Sequence, residues 1–254
     1  MKRRELVIAI VLTIVIAFMD ISGLPGVLLF QIAPWDIDPF IFPLMINFVL
    51  IGILAFIVLK WFCPNWRLGL SRENLTGGLK RYAPAGAVAG ALSFLAFVVG
   101  LPLDYQPTVW KILFEGILYY VGVAAVEELY VRGLFLNAVE QLFEGRENKA
   151  NIAVVVSAVV FGLGHVPDML GMGLFVIAFK VISTIGMGLY FGTVYKKTNN
   201  LWVPIILHAL IDICALPYCF TTYIGYPAIS LVILSVTYVG LGIYSIWMIK
   251  HEKL

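Results

Sequence analysis

Apolar residues run along this chain in long continuous blocks, without the alternation of a half-buried strand or the single stripe of a helix in water. Blocks near or above the ~18 residues that carry a helix across the hydrocarbon core fall at about 6–23, 41–62, 82–101, 109–136, 151–167, 173–195, 201–217 and 226–249. They predict an all-α integral membrane protein, a bundle of about eight transmembrane helices. A β-barrel is disfavoured, because its spans are segments of roughly ten residues with alternating hydrophobicity. No repeat of roughly 20 to 50 residues, low-complexity tract or long linker divides the chain, so residues 1–254 are expected to form one membrane domain.

Composition strengthens that reading. Hydrophobic residues make up 61% and charged residues 13%, with a mean hydropathy of +0.98, against roughly half apolar and a quarter charged in soluble domains. Charge placement adds orientation. Threading eight spans puts Lys2, Arg3, Arg4, Lys60, Arg67, Arg72, Lys80, Arg81, Arg146, Lys149, Lys196, Lys197, Lys250 and Lys253 on one side, and Asp20, Asp36, Asp38, Asp104 and Asp168 in the opposite loops. Lys and Arg accumulate in short cytoplasmic loops, so both termini are expected in the cytoplasm. A net charge of +2, dispersed among loops, excludes a nucleic-acid partner and suits lipid headgroups.

The first block follows a basic leader as a signal peptide would, but no small-x-small cleavage site follows it, and it is expected to stay as the first helix. Residues 63–79 mix Trp, Leu and Arg with Pro and Gly and are expected to lie on the inner leaflet. Cys63, near the cytoplasmic face, and Cys214 and Cys219, towards the outer end of the seventh helix, are expected to be free thiols.

Ionisable groups inside a span cost several kcal/mol and mark a pathway or a site. Those within the blocks are Lys111, Glu115, Glu127, Glu128, Arg132, His165, Lys180, His208 and Asp212. Glu128 and Arg132, four apart in acid-before-base order, share one helix face. That pairing leaves Glu127 pointing elsewhere without a local partner, as a general base would be. A structural ion-pair cluster is the competing reading of this segment.

His165 follows Phe161 by four positions, with Gly162 and Gly164 allowing close approach. His208 and Asp212 also stand four apart, so the acid could orient the imidazole or share a metal with it, and Pro204 is expected to kink that helix towards the site. Counted from the cytoplasmic ends, Glu127 and His208 lie at equal depth within a turn, and His165 lies deeper. Converging, these groups suggest hydrolysis in a cavity open towards the cytoplasm. Glu127 would take a proton from water, His165 would hold that water or the carbonyl, and His208 would stabilise the oxyanion. Glu127, His165 and His208 are equally a ligand set for a divalent metal such as zinc, so the cofactor is either none or such an ion. HExxH is absent. Lys111, Glu115 and Lys180 are expected to snorkel or pack.

The ordered set EExxxR (Glu127, Glu128, Arg132), FxxxH (Phe161, His165) and HxxxN with Asp in the last place (His208, Asp212) resembles the CPBP family. That family joins type II CAAX prenyl proteases with bacterial Abi, bacteriocin-processing and self-immunity proteins. The likeness covers roughly residues 115–215, within a protease core of about 109–217. It implies an eight-helix intramembrane endopeptidase with Glu127 as water-activating base, His165 beside it, and His208 with residue 212 binding the oxyanion. Glu128, Arg132 and Phe161 would support them. The expected substrate is a membrane-associated peptide or protein in a bacterial plasma membrane. Two competing functions are a non-catalytic immunity or sensor-kinase-regulating protein, and a proton-coupled transporter, which no inverted repeat supports.

Overall fold

A computed structural model describes residues 3–29, 36–62, 66 and 68–251, without the side chains of Arg3, Arg4, Glu5, Leu24, Val27, Leu29, Phe62 and Asp168. Cys63, Arg67, Lys2 and Lys253 lie outside these residues. The described chain is helical: α1 Arg3–Ser22, α2 Leu24–Leu29, α3 Ile41–Phe62, α4 Leu75–Gly100, α5 Val109–Leu142, α6 Lys149–Gly164, α7 Leu174–Thr198, α8 Trp202–Ile213 and α9 Ala228–His251. Among the described residues, six helices are long and apolar enough to cross a bilayer, the seventh block counting as Trp202–Phe220 with its terminal 3-10 turn; Leu6–Ser22 and Lys149–Gly164 are shorter apolar helices. An integral membrane bundle therefore stands, with six clear spans and two shorter companions where eight equal spans were expected.

Lipid explains the outer surface. Trp61, Val109, Val236 and Ile243 are more than 60% exposed, which water would penalise and hydrocarbon does not. Inside, the helices are knit by small residues and hydroxyls, as membrane packing requires. A Cβ on Gly186 would collide with the Tyr238 carbonyl, so only glycine lets α7 and α9 approach this closely. Ser93 and Tyr238 share a hydrogen bond of 2.7 Å between α4 and α9, and Ser230 donates to the Ala96 carbonyl at 2.8 Å. The Tyr190 hydroxyl donates to the Tyr82 carbonyl at 2.6 Å, joining α7 to α4.

Each end of the bundle has its own ties. At the end carrying the basic residues, Asn199 turns the chain in left-handed conformation (φ 48°), and the Asn200 side chain accepts from Trp202 N at 2.9 Å to start α8. The Asn200 amide also donates to the Ser71 and Glu73 carbonyls at 2.9 and 2.6 Å, strapping residues 68–74 across this turn. Because α8 starts at Trp202, Pro204 sits in the first turn, where no intrahelical donor is needed. The expected kink is therefore absent.

At the opposite end, the Asp104 carboxylate accepts from Thr222 N and Oγ1, both at 2.9 Å, and Asp36 accepts from the Tyr105 and Thr108 hydroxyls at 2.8 and 3.0 Å. These donors hold both carboxyls below the usual carboxylate value, the Thr222 backbone N–H leading for Asp104 and the Tyr105 hydroxyl for Asp36. Glu115 accepts from Asp38 N at 2.6 Å and pairs with Lys111 at 3.1 Å. Lys111 and Glu115 are thus packed against this loop, within the expected range of roles.

Candidate active site

Two wide π-helical stretches interrupt α5, at Phe114–Leu118 and Leu129–Leu136. Such stretches are frequent at functional sites, and the second begins immediately after Glu128. The carbonyls its wide turns release find a donor: the Asn137 side-chain nitrogen lies 3.2 and 3.0 Å from the Arg132 and Gly133 oxygens. Within this stretch Arg132 Nη1 donates to Glu128 Oε1 at 2.8 Å, and neither side chain has any exposed surface. Arg132 Nη2 reaches the Gly188 carbonyl at 3.3 Å, and its guanidinium lies 4.6 Å from the Phe161 ring. A buried charge survives only when paired and hydrogen-bonded, and Arg132 is held on all these sides.

The same Glu128 oxygen accepts a second bond across the bundle. His208 Nδ1 donates to it at 2.9 Å, while the imidazole stacks on Phe191 with centroids 4.7 Å apart. A carboxylate can only accept, so Nδ1 carries the proton and the ring is fixed with Nε2 turned outwards. Nε2 lies 3.2 Å from Asp212 Oδ2 and 3.8 Å from Glu127 Oε2. Asp212, which stands where the family pattern has Asn, has therefore turned to His208.

His165 follows the last residue of α6, its Nδ1 donating to the Phe161 carbonyl at 2.9 Å. The rings of His165 and His208 both meet Phe161 edge-on, at 4.9 and 6.1 Å. Gly162 lets α6 approach α7 at Val181 and Ile185, whereas Gly164 faces open space, so one glycine of the expected pair serves close packing.

A cavity of about 580 Å³ gathers Glu127, His165, His208 and Asp212, with Phe161 also in its wall. The two glutamates divide sharply. The Glu127 and Asp212 side chains keep 14% and 19% of their surface accessible, while Glu128 keeps none. Glu127 thus faces the cavity and Glu128 orients the imidazole from behind.

Asp20 and Lys180 join this wall, although sequence reasoning set Asp20 in a loop and Lys180 among snorkelling residues. Both fall inside apolar blocks, and that position was the available signal. Tyr130 donates to Asp20 Oδ2 at 3.2 Å, and the Lys180 ammonium lies 5.7 Å from the Tyr226 ring. Both cysteines expected near the seventh span's end, Cys214 and Cys219, are free.

The cavity lies in the half of the bundle opposite the basic turns. Its wall takes Phe40 and Leu44 from the start of α3, Phe97 from the end of α4, and Tyr226 and Leu231 around the start of α9. The expected opening towards the basic, cytoplasmic end is thus not what the chain forms. Equal depths of Glu127 and His208 put the pair near mid-bilayer, and depth alone did not say which way the pocket opens.

Among the described residues, no three His, Cys, Asp or Glu groups are placed to hold one ion. The Nδ1 bonds of His208 to Glu128 and of His165 to the Phe161 carbonyl leave only Nε2 of each ring as a possible ligand, and these nitrogens and the Glu127 carboxylate are not gathered around one point. The ligand set Glu127, His165 and His208 does not fit a metal in this arrangement.

Comparison with known families gives one match, to the model described as type II CAAX prenyl endopeptidase Rce1-like, over residues 109–214. Residues 109–214, under half of the chain, are similar to the Rce1-like family. The Rce1-like segment starts at the first residue of α5 and ends two residues beyond Asp212, so it holds Glu127, Glu128, Arg132, Phe161, His165, His208 and Asp212 but not Asp20. That likeness to a family of endopeptidases points to a protease. No curated protein and no solved structure matches the chain.

Proposed function

We propose that this chain is an intramembrane endopeptidase that hydrolyses a peptide bond of a membrane-associated peptide or protein, with Glu127 as the base and residues of about 109–217 as its catalytic core. The reading is supported most by the division between the two adjacent glutamates: Glu128 is sealed and spent on Arg132 and His208, whereas Glu127 opens onto the cavity 3.8 Å from His208 Nε2.

In this mechanism Glu127 takes one proton from a water as its oxygen attacks the carbonyl carbon. His208 acts as the imidazolium, with Nδ1–H on Glu128, and its Nε2–H, beside Asp212, is offered to the developing oxyanion, where a positioned donor contributes most. Collapse breaks the C–N bond, and the protonated Glu127 gives its proton to the leaving amine. His165 has its donor nitrogen anchored on the Phe161 carbonyl, so its Nε2 is the acceptor that holds the attacking water. Asp212, beside Nε2, orients the His208 proton and does not itself meet the oxyanion. Glu128 and Arg132 are positioning residues. The bacterial plasma membrane is the proposed location, and a cavity of about 580 Å³ lined by tyrosine and phenylalanine suits a short apolar peptide segment.

The test is cleavage of a library of membrane-inserted peptides by purified protein, read by mass spectrometry, comparing wild type with Glu127→Ala and His208→Ala. Loss of defined products in both variants is expected. Products that persist in both would end the catalytic assignment, and a biological effect without turnover, unaltered by the same changes, would favour the non-catalytic regulator.

A further inference from the structure

The cavity and the charge asymmetry of the bundle, taken together, say from which side of the membrane this site is reached. Every helix contributing to the wall does so from its middle or from the end opposite the basic residues. Asp20 and Ile21 close α1, Phe40 and Leu44 open α3, Phe97 lies near the end of α4, and Lys180 to Met187 lie in the first half of α7. Around this mouth are the loops carrying Asp36, Asp38 and Asp104, with Lys111 neutralised by Glu115 at 3.1 Å.

The far end of the bundle carries Lys60, Arg72, Lys80, Arg81, Arg146, Lys149, Lys196, Lys197 and Lys250, and contributes nothing to the wall. Such an excess of Lys and Arg in short connections fixes the cytoplasmic side. A pocket that stops near mid-bilayer and opens at the other end is closed to the cytoplasm by about half the length of each helix. The Glu128–Arg132–His208 cluster, almost wholly buried, and the leucine and valine core around Leu134, Leu136, Val154 and Leu201 fill that interval.

We propose that the site is entered from the non-cytoplasmic side, so that its substrates are membrane-anchored polypeptides whose scissile segment lies at or within the outer leaflet. The inference rests on the proposed protease function for what happens in the cavity, but not for which way the cavity faces. Tyr218 and Tyr226, with Phe97 at the end of α4, line the outer part of the wall. Aromatic residues at interfacial depth receive apolar side chains descending from the headgroup region. A peptide confined to the cytoplasm would have to cross the bilayer before meeting Glu127. A segment exported through the membrane and anchored in it would already be in place.

Single cysteines in the full chain carrying Cys63→Ser, Cys214→Ser and Cys219→Ser test this. Ile224→Cys, at a position 94% exposed beside the mouth, and Tyr226→Cys, in the wall itself, would be treated in intact cells with a membrane-impermeant maleimide. Arg146→Cys, in the exposed turn of the basic end, is the reference. The expected result is full labelling of Ile224→Cys and Tyr226→Cys in intact cells, with Arg146→Cys labelled only after permeabilisation. Labelling of Arg146→Cys alone in intact cells would overturn the inference. So would a Tyr226→Cys protected in intact cells beside a labelled Ile224→Cys, because the cavity would then not open where the loops do. Labelling does not depend on turnover, so a chain that labels as expected but cleaves nothing would refute the protease and leave the sidedness standing.

Discussion

Replacing Arg132 by methionine probes the innermost part of the site. Arg132 and Glu128 are paired at 2.8 Å with no exposed surface on either, and the guanidinium also lies 4.6 Å from Phe161. Removing one partner of such a pair leaves a buried carboxylate without its cation, which costs about 3–5 kcal/mol. Loss of a desolvated cation–π contact adds about 2 kcal/mol at most. The side chain of methionine fills part of the volume, so the lower end of the combined range is expected, about 3–4 kcal/mol. Glu128→Gln removes the stranded charge while keeping an oxygen to accept from His208 Nδ1. The double variant Arg132→Met/Glu128→Gln should therefore be more stable than Arg132→Met alone, with a coupling of about 1–3 kcal/mol between the two sites. Equilibrium unfolding of the four proteins in mixed micelles measures the cycle. An Arg132→Met cost below about 1 kcal/mol, the range of an exposed pair, or additive single effects, would refute the reading of Glu128 as a charge kept only by its partners.

Asp212→Asn keeps an oxygen that can accept from His208 Nε2 and should retain turnover within about tenfold, equivalent to ~1.4 kcal/mol in the barrier, whereas Asp212→Leu should lose it; steady-state rates on a cleaved peptide decide. Gly186→Ala forces a Cβ onto the Tyr238 carbonyl and should cost about 1–3 kcal/mol by the same unfolding assay, without changing the cleavage site. Exhaustive chelation should leave the rate of purified protein unchanged, since the donor groups do not assemble a metal site; an activity abolished by chelator and restored by zinc would contradict this. The Asp104 carboxyl, held low by Thr222, contributes a loop tie that is complete above the ordinary carboxylate value of 3.8 and is lost as pH falls below it through the lowered folded value. Amide exchange at Thr222 should accordingly quicken, relative to its intrinsic rate, only in that acidic window, and Asp104→Asn should flatten the response.

Hydrophobic continuity makes most of the fold legible in the sequence, with particular exceptions. Lys80 and Arg81 read as a loop, yet α4 starts at Leu75, because long basic side chains at a helix end can reach the headgroups without breaking the helix. Likewise α5 runs to Leu142 because Asn137–Leu142 continues the helix after the apolar block ends. The Glu128–Arg132 pair was legible from four-residue spacing. The bond from His208 to that same glutamate was not, since it joins residues 80 positions apart across two helices. The π-helical stretches were equally hidden, as was the direction in which the cavity opens. Asp20 and Lys180 were visible as charges inside apolar blocks but lacked a motif to attach to.

Hydrolysis in oxygen-18 water by the purified full chain in liposomes, with wild type beside Glu127→Gln of matched thermal stability, tests the account at its centre. Wild type should release a product with one labelled oxygen in its new carboxylate, and Glu127→Gln should slow that release by about 10²–10⁴-fold, the usual share of a general base. Labelled product formed by Glu127→Gln at the wild-type rate would contradict the assignment of Glu127.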